Sequence, residues 1–112
     1  MLPTLLNLPA TPADFAQWSF ANQDAHTRII ASIHKNNTNI VLVNRVLDPI
    51  PTNDVKGWLW SHQLTHNDMN GALGIAGADL TDVDFRDKAQ FSEWMRLHFN
   101  EHFLAAQILQ IN

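Results

Sequence analysis

The 112-residue chain contains no cysteine, which excludes disulfides, thiolate metal ligands and a cysteine nucleophile. Charge is also scarce, at 16% against 46% hydrophobic residues. That balance is too apolar for a disordered chain and low in charge for a surface that meets only water. Part of the surface is therefore expected to be covered by other protein. The seven Lys and Arg residues are scattered and the formal net charge is −4, so the basic footprint of a nucleic-acid binder is missing. No apolar run approaches the roughly 20 residues of a membrane span. The opening "MLPTLLNLPATPADF" has no basic start and carries three prolines, which argues against a signal peptide. A single domain with a modest core is expected over residues 1–112.

What the chain does have is a repeat. "WLWSHQLTH" (Trp58–His66) and "WMRLHFNEH" (Trp94–His102) both read W-x3-H-x3-H, and "WSFANQDAH" (Trp18–His26) is a third copy with Asn22 at the middle position. Three residues before each tryptophan stand Phe15, Val55 and Phe91. Eleven after it stand Ile29, Met69 and Ala105, and fifteen after it Ile33, Leu73 and Leu109. Steps of three and four residues are the helical period, so each copy predicts an amphipathic helix whose stripe mixes Trp, His or Asn, and aliphatics.

Start and stop signals place these helices near 12–35, 53–72 and 87–110. Thr11 with Pro12, Thr52 or Asn53, and Asp87 with Gln90 are the expected N-terminal caps. Gly71, Gly74 and Gly77 close the second helix region. The expected fold is mainly α, a small three-helix bundle built on the triplicated motif. Residues 1–10 form an extended arm. A β-branched segment near 39–48, containing Ile40, Val41, Leu42 and Val43, reads either as one strand needing a mate or as an extended crossover over the bundle.

The histidines allow two readings. Histidines four apart share a helix face and can hold a metal together. If the stripes converge, His26, His66 and His102 meet, with His62 or His98 nearby, as a zinc or iron site. Against that, the same stripe carries Trp18, Trp58 and Trp94. A buried network of Trp18, Asn22, His26, Trp58, His62, His66, Trp94, His98 and His102 would satisfy the imidazoles and fix helix register. Asn22 breaks the ligand pattern, and consecutive helices on short links usually run antiparallel, which would separate equivalent positions. The network without metal or other cofactor is the leading expectation.

"HFNEH" (His98–His102) spells H-x-x-E-H with Glu101 as a would-be base, but "HQLTH" has no glutamate and the chain leaves little room for a cleft, so the match reads as coincidence. Ser61 and Ser92 are isolated, "GALGIAG" has no P-loop lysine, and Asp79, Asp82, Asp84 and Asp87 lack calcium-loop spacing. No catalytic residue is expected, nor is the protein expected to be an enzyme.

Trp60 and Phe20 stand two residues after their stripe tryptophans, about 200° round the helix. They point away from the stripe. The third helix is apolar nearly all round through Met95, Phe99, Phe103, Leu104 and Ile108. Phe20, Trp60, Phe99 and Phe103, together with Ile40–Val43, are the candidate docking surface.

In its order of pieces — a Pro-rich start, "VLDPIP", "WLWSHQLTHNDMN", "LGIAGADLTDVDF" and "WMRLHFNEH" before a short aliphatic tail — the chain resembles small proteins encoded among the virion genes of tailed bacteriophages. That resemblance implies a minor virion or virion-assembly component, located in the particle and partnered by other virion proteins or by copies of itself. It brings no catalytic residues with it.

Overall fold

The computed structural model describes residues 12–46 and 54–111. The N-terminal arm, the expected Thr11, Thr52 and Asn53 caps and the last part of the 39–48 segment lie outside them. Three helices form: α1 (Pro12–Asn36), α2 (Val55–Leu73) and α3 (Lys88–Leu109). The mainly α three-helix bundle is thus the observed fold.

Local chemistry explains the helix ends. Asp54, not Thr52 or Asn53, is the N-cap of α2, and its carboxylate accepts the Gly57 N–H at 3.0 Å. Asp87 caps α3 by accepting from the N–H groups of Ala89 and Gln90. The Gln90 amide reaches further back, where its oxygen accepts the Asp84 N–H at 2.9 Å. Gly71 lies inside α2, and Gly74 is the residue that ends it, at φ 70° with its N–H donated to the Asn70 carbonyl. A left-handed C-cap of this kind favours glycine, which has no Cβ to clash.

The helices run parallel, which overturns the antiparallel expectation. Equivalent positions of the three copies meet in register along the bundle. Trp94 has ring centroids 5.8 Å from Trp18 and 6.1 Å from Trp58. One and two turns on come the Asn22/His62/His98 and His26/His66/His102 positions. Ile29, Met69 and Ala105 then share one aliphatic cluster, flanked by Ile33, Leu73 and Leu109. The same order from all three copies requires the same direction for all three helices.

Parallel helices in one chain need connections that travel back along the bundle. Residues 40–46 form such a connection, with no strand among the described residues. The Leu42 N–H donates to Nε2 of His34, while the Val46 carbonyl accepts from the Gln23 side-chain amide. Four extended residues cover about 13 Å, and the eleven helical residues from 34 back to 23 about 16 Å. The segment therefore descends antiparallel to α1. Arg45 N–H donates to Thr65 Oγ1 at 3.1 Å, seating the descent beside α2 as well. Its backbone thus finds side-chain partners, and no strand mate is required of them.

The second connection descends between α2 and α3. The Gln63 side chain clamps it: its oxygen accepts the Leu80 N–H at 2.6 Å and its amide donates to the Ala78 carbonyl at 3.3 Å. The Trp94 indole N–H donates to the Leu80 carbonyl at 2.8 Å. Leu80 and Trp58, both fully buried, anchor the aromatic end of the core with Trp18, Phe91, Trp94 and Met95. Truncating a tryptophan there is expected to cost about 3–5 kcal/mol. In the same connection, Asp79 and Asp84 are surface groups bonded to Thr81 and Arg86, which fits a solvated loop.

Candidate metal centre

Parallel packing brings the histidine stripes together. His26, His62, His66, His98 and His102 are all at most 1% exposed, although they sit between two apolar clusters. Each helix contributes one imidazole to the deeper layer, and their Nε2 atoms form a closed triangle. His26 to His66 is 3.0 Å, His26 to His102 is 3.1 Å, and His66 to His102 is 3.2 Å.

Three nitrogens at these separations fit one ion. Zinc–imidazole bonds of about 2.0–2.1 Å put tetrahedral ligands about 3.3–3.4 Å apart, and right-angled ligands about 2.9 Å apart. The observed sides lie between those limits. All three nitrogens could therefore hold the same ion. A nitrogen from each of His26, His62, His66 and His98 also lies within a 4.8 Å spread, a looser set than the triangle.

Behind the triangle stands a carboxylate. Nδ1–H of His66 donates to Oε1 of Glu101 at 3.1 Å, which leaves the His66 Nε2 lone pair turned to the centre. Glu101 is 3% exposed, and its acceptors are filled: Asn70 Nδ2 donates to Oε1 at 2.6 Å and the Ala78 N–H to Oε2 at 3.0 Å. Burial pushes the Glu101 carboxyl up, but the hydrogen bonds it accepts from His66, Ala78 and Asn70 outweigh it. Its pKa is held below the ordinary glutamate value. Gly77 makes this packing possible, since a Cβ there would stand 2.5 Å from Asn70 Nδ2 and 3.6 Å from Glu101 Oε1.

Four of the five histidines favour the neutral form a metal requires. Burial first, then neighbouring imidazoles, hold His26, His62, His98 and His102 well below the ordinary histidine value. For His26 those neighbours are His102, His66 and His62.

One turn toward the N-termini lies the second layer, of Asn22, His62 and His98. Trp58 stacks on His62 (4.7 Å, 15°) and Trp94 on His98 (4.9 Å, 7°), so both rings are held flat against indoles. Asn22 is 1% exposed. Both amide atoms of Asn22 and both nitrogens of His62 and of His98 have no hydrogen-bond partner among the described residues, and neither do Nδ1 of His26 and His102. Of the expected polar network, His26, His66 and His102 lie within hydrogen-bonding distance of one another, while Asn22, His62 and His98 find no partner among the described residues. A neutral imidazole has one donor and one acceptor, and three Nε2 atoms facing one another cannot all be satisfied by hydrogen bonds.

The expected docking residues divide. Phe20, Trp60 and Phe103 are exposed, at 58%, 62% and 45%. Val41 and Val43 also face outward, whereas Ile40 and Leu42 are half-buried and pack on the aliphatic cluster. Phe99 is half-buried too, packed against the aromatic cluster and stacked on Phe103 at 6.1 Å.

Sequence reasoning missed Glu101, Asn70, Gln63 and Gly77 as parts of this centre. Glu101 carried a signal. It follows its tryptophan by seven residues, where the other copies have Ala25 and Thr65, and is thus a carboxylate on a buried face. The H-x-x-E-H reading sought a substrate for that carboxylate, while the fold turns it to the outer nitrogen of a histidine on another helix. No protein-family model, curated protein or solved structure matches this chain, so the geometry of the two histidine layers carries the functional reading by itself.

Proposed function

We propose that this protein is a metal-binding helical domain in which His26, His66 and His102 hold one divalent transition-metal ion, zinc by preference. The carrying observation is the closed Nε2 triangle of 3.0–3.2 Å, with Glu101 fixing the His66 tautomer from behind. Imidazole suits zinc, iron, copper and nickel alike, and near-tetrahedral three-histidine sets are characteristic of zinc. Full burial of all three ligands favours a structural role, in which the ion ties three parallel helices together at mid-length. The test is metal analysis after purification and after zinc reconstitution with exhaustive dialysis. One zinc per chain, lost in His66→Ala and in His102→Ala, is the expected result. No retained metal in the wild-type protein after reconstitution would overturn the reading.

A second reading is assembly, and the two are compatible. Phe20 and Trp60, exposed at the same offset from their stripe tryptophans, support a partner-facing surface. The sequence resemblance makes that partner a protein of a bacteriophage particle or another copy of this chain. Assembly is a non-enzymatic role, and a metal-tied bundle would present those aromatics on a rigid frame. Their mutation to serine should abolish association while leaving metal content unchanged.

A further inference from the structure

We infer that the fourth coordination position of this metal takes a small oxygen ligand, water or hydroxide, held by the second layer of Asn22, His62 and His98. The inference rests on the three-histidine metal centre proposed above. Three histidines leave at least one position of a four-coordinate ion to be filled. On one side of the Nε2 triangle are the aliphatic side chains of Ile29, Met69 and Ala105, which offer nothing to an oxygen ligand. On the other is the second layer, whose six side-chain polar atoms are buried without hydrogen-bond partners among the described residues. Buried polar groups are normally paired, and leaving one unpaired is costly. A metal-bound hydroxide would answer several at once, accepting from the Asn22 amide and from an imidazole N–H and donating its own proton to the other ring. Stacking on Trp58 and Trp94 keeps both rings from turning away.

A second metal ion in that layer is the competing assignment, and charge decides against it. Glu101 is the one buried carboxylate among the described residues. Two dications against one carboxylate would leave three positive charges uncompensated in a fully buried site, where unpaired charge is strongly disfavoured. One dication, Glu101 and a hydroxide sum to zero.

Cobalt(II) serves as the probe. Metal-free protein reconstituted with cobalt and equilibrated in ¹⁷O-enriched water is examined for cobalt content and for ¹⁷O hyperfine coupling by electron–nuclear double resonance. One cobalt per chain with a directly coordinated ¹⁷O is the expected result, and its coupling should shift or vanish in Asn22→Leu. The milder Asn22→Ser and His98→Phe provide the same readout should Asn22→Leu lose its helical circular dichroism. Cobalt bound without ¹⁷O coupling, two cobalt ions per chain, or a ¹⁷O coupling unchanged in every folded variant would each overturn the inference while leaving the metal centre standing. Absence of any bound cobalt would overturn the metal centre itself.

Discussion

The two histidine layers are written almost identically in sequence and differ in what surrounds them. Both recur at the same spacing behind the same tryptophans, and both are fully buried. In the deeper layer the three Nε2 atoms close to 3.0–3.2 Å and a buried carboxylate orients one ring from behind. In the outer layer Asn22 replaces one imidazole, indoles cover the other two, and no group among the described residues bonds them. The difference teaches that a histidine's role is set by what surrounds its ring. A carboxylate at its second nitrogen makes a ligand with a fixed tautomer. An indole stacked on the ring face leaves the ring positioned and its nitrogens available to a guest.

The largest effect should come from breaking the layers separately. His102→Ala should remove metal binding altogether, while His62→Ala should keep one zinc per chain with a weaker affinity. Competition with a coloured chelator reads both, and equal losses would show that the layers do not differ.

Acid should strike both layers of the metal-free protein. Folded-state pKa values of His26, His62, His98 and His102 lie below the unfolded value of about 6.5. The unfolded chain then binds more protons as pH falls, so stability is fully present above about pH 6.5 and is lost below it. By about pH 5.5 each such histidine contributes a loss on the order of 1 kcal/mol. Urea denaturation at pH 7.5 and 5.5 checks this, and coincident midpoints would mean that the histidines are not buried neutral. Bound metal should carry the transition to lower pH, since protons must first displace the ion.

Glu101→Gln sharpens the deeper layer alone. It keeps the shape but withdraws the charge behind His66, and metal affinity should fall roughly 10–100-fold. An unchanged affinity would reduce Glu101 to a packing partner. Gly77→Ala acts one step further out. Its Cβ would displace Asn70, the 2.6 Å donor to Glu101, so a several-fold loss of metal affinity and about 1 kcal/mol of stability are expected. Smallest of all, Trp60→Ala should change thermal stability by about 0.5 kcal/mol or less. A large change would mean that Trp60 belongs to the core rather than to a docking face.

Much of the fold was legible because helical periodicity is local. Trp18, Trp58 and Trp94 set the register of three stripes, and the observed helices begin and end within a residue or two of the expected bounds. Caps were less legible: Asp54 took the place expected for Thr52 or Asn53, because neighbouring residues of similar chemistry compete for one N-cap. The 40–46 segment shows alternation fit for a strand. Side chains of α1 and α2 instead satisfy its backbone at Leu42, Arg45 and Val46.

By itself, then, the sequence determined three amphipathic helices, one shared stripe and the residue types on it, since all of these follow from spacing along a single helix. Only the tertiary structure decided that the helices run parallel, that His26, His66 and His102 point at one another, and that Glu101 faces His66 rather than a substrate. Those relations join residues 35 to 76 positions apart. They depend on two extended connections bonding to side chains of the helices they pass, which no periodicity within one helix can encode.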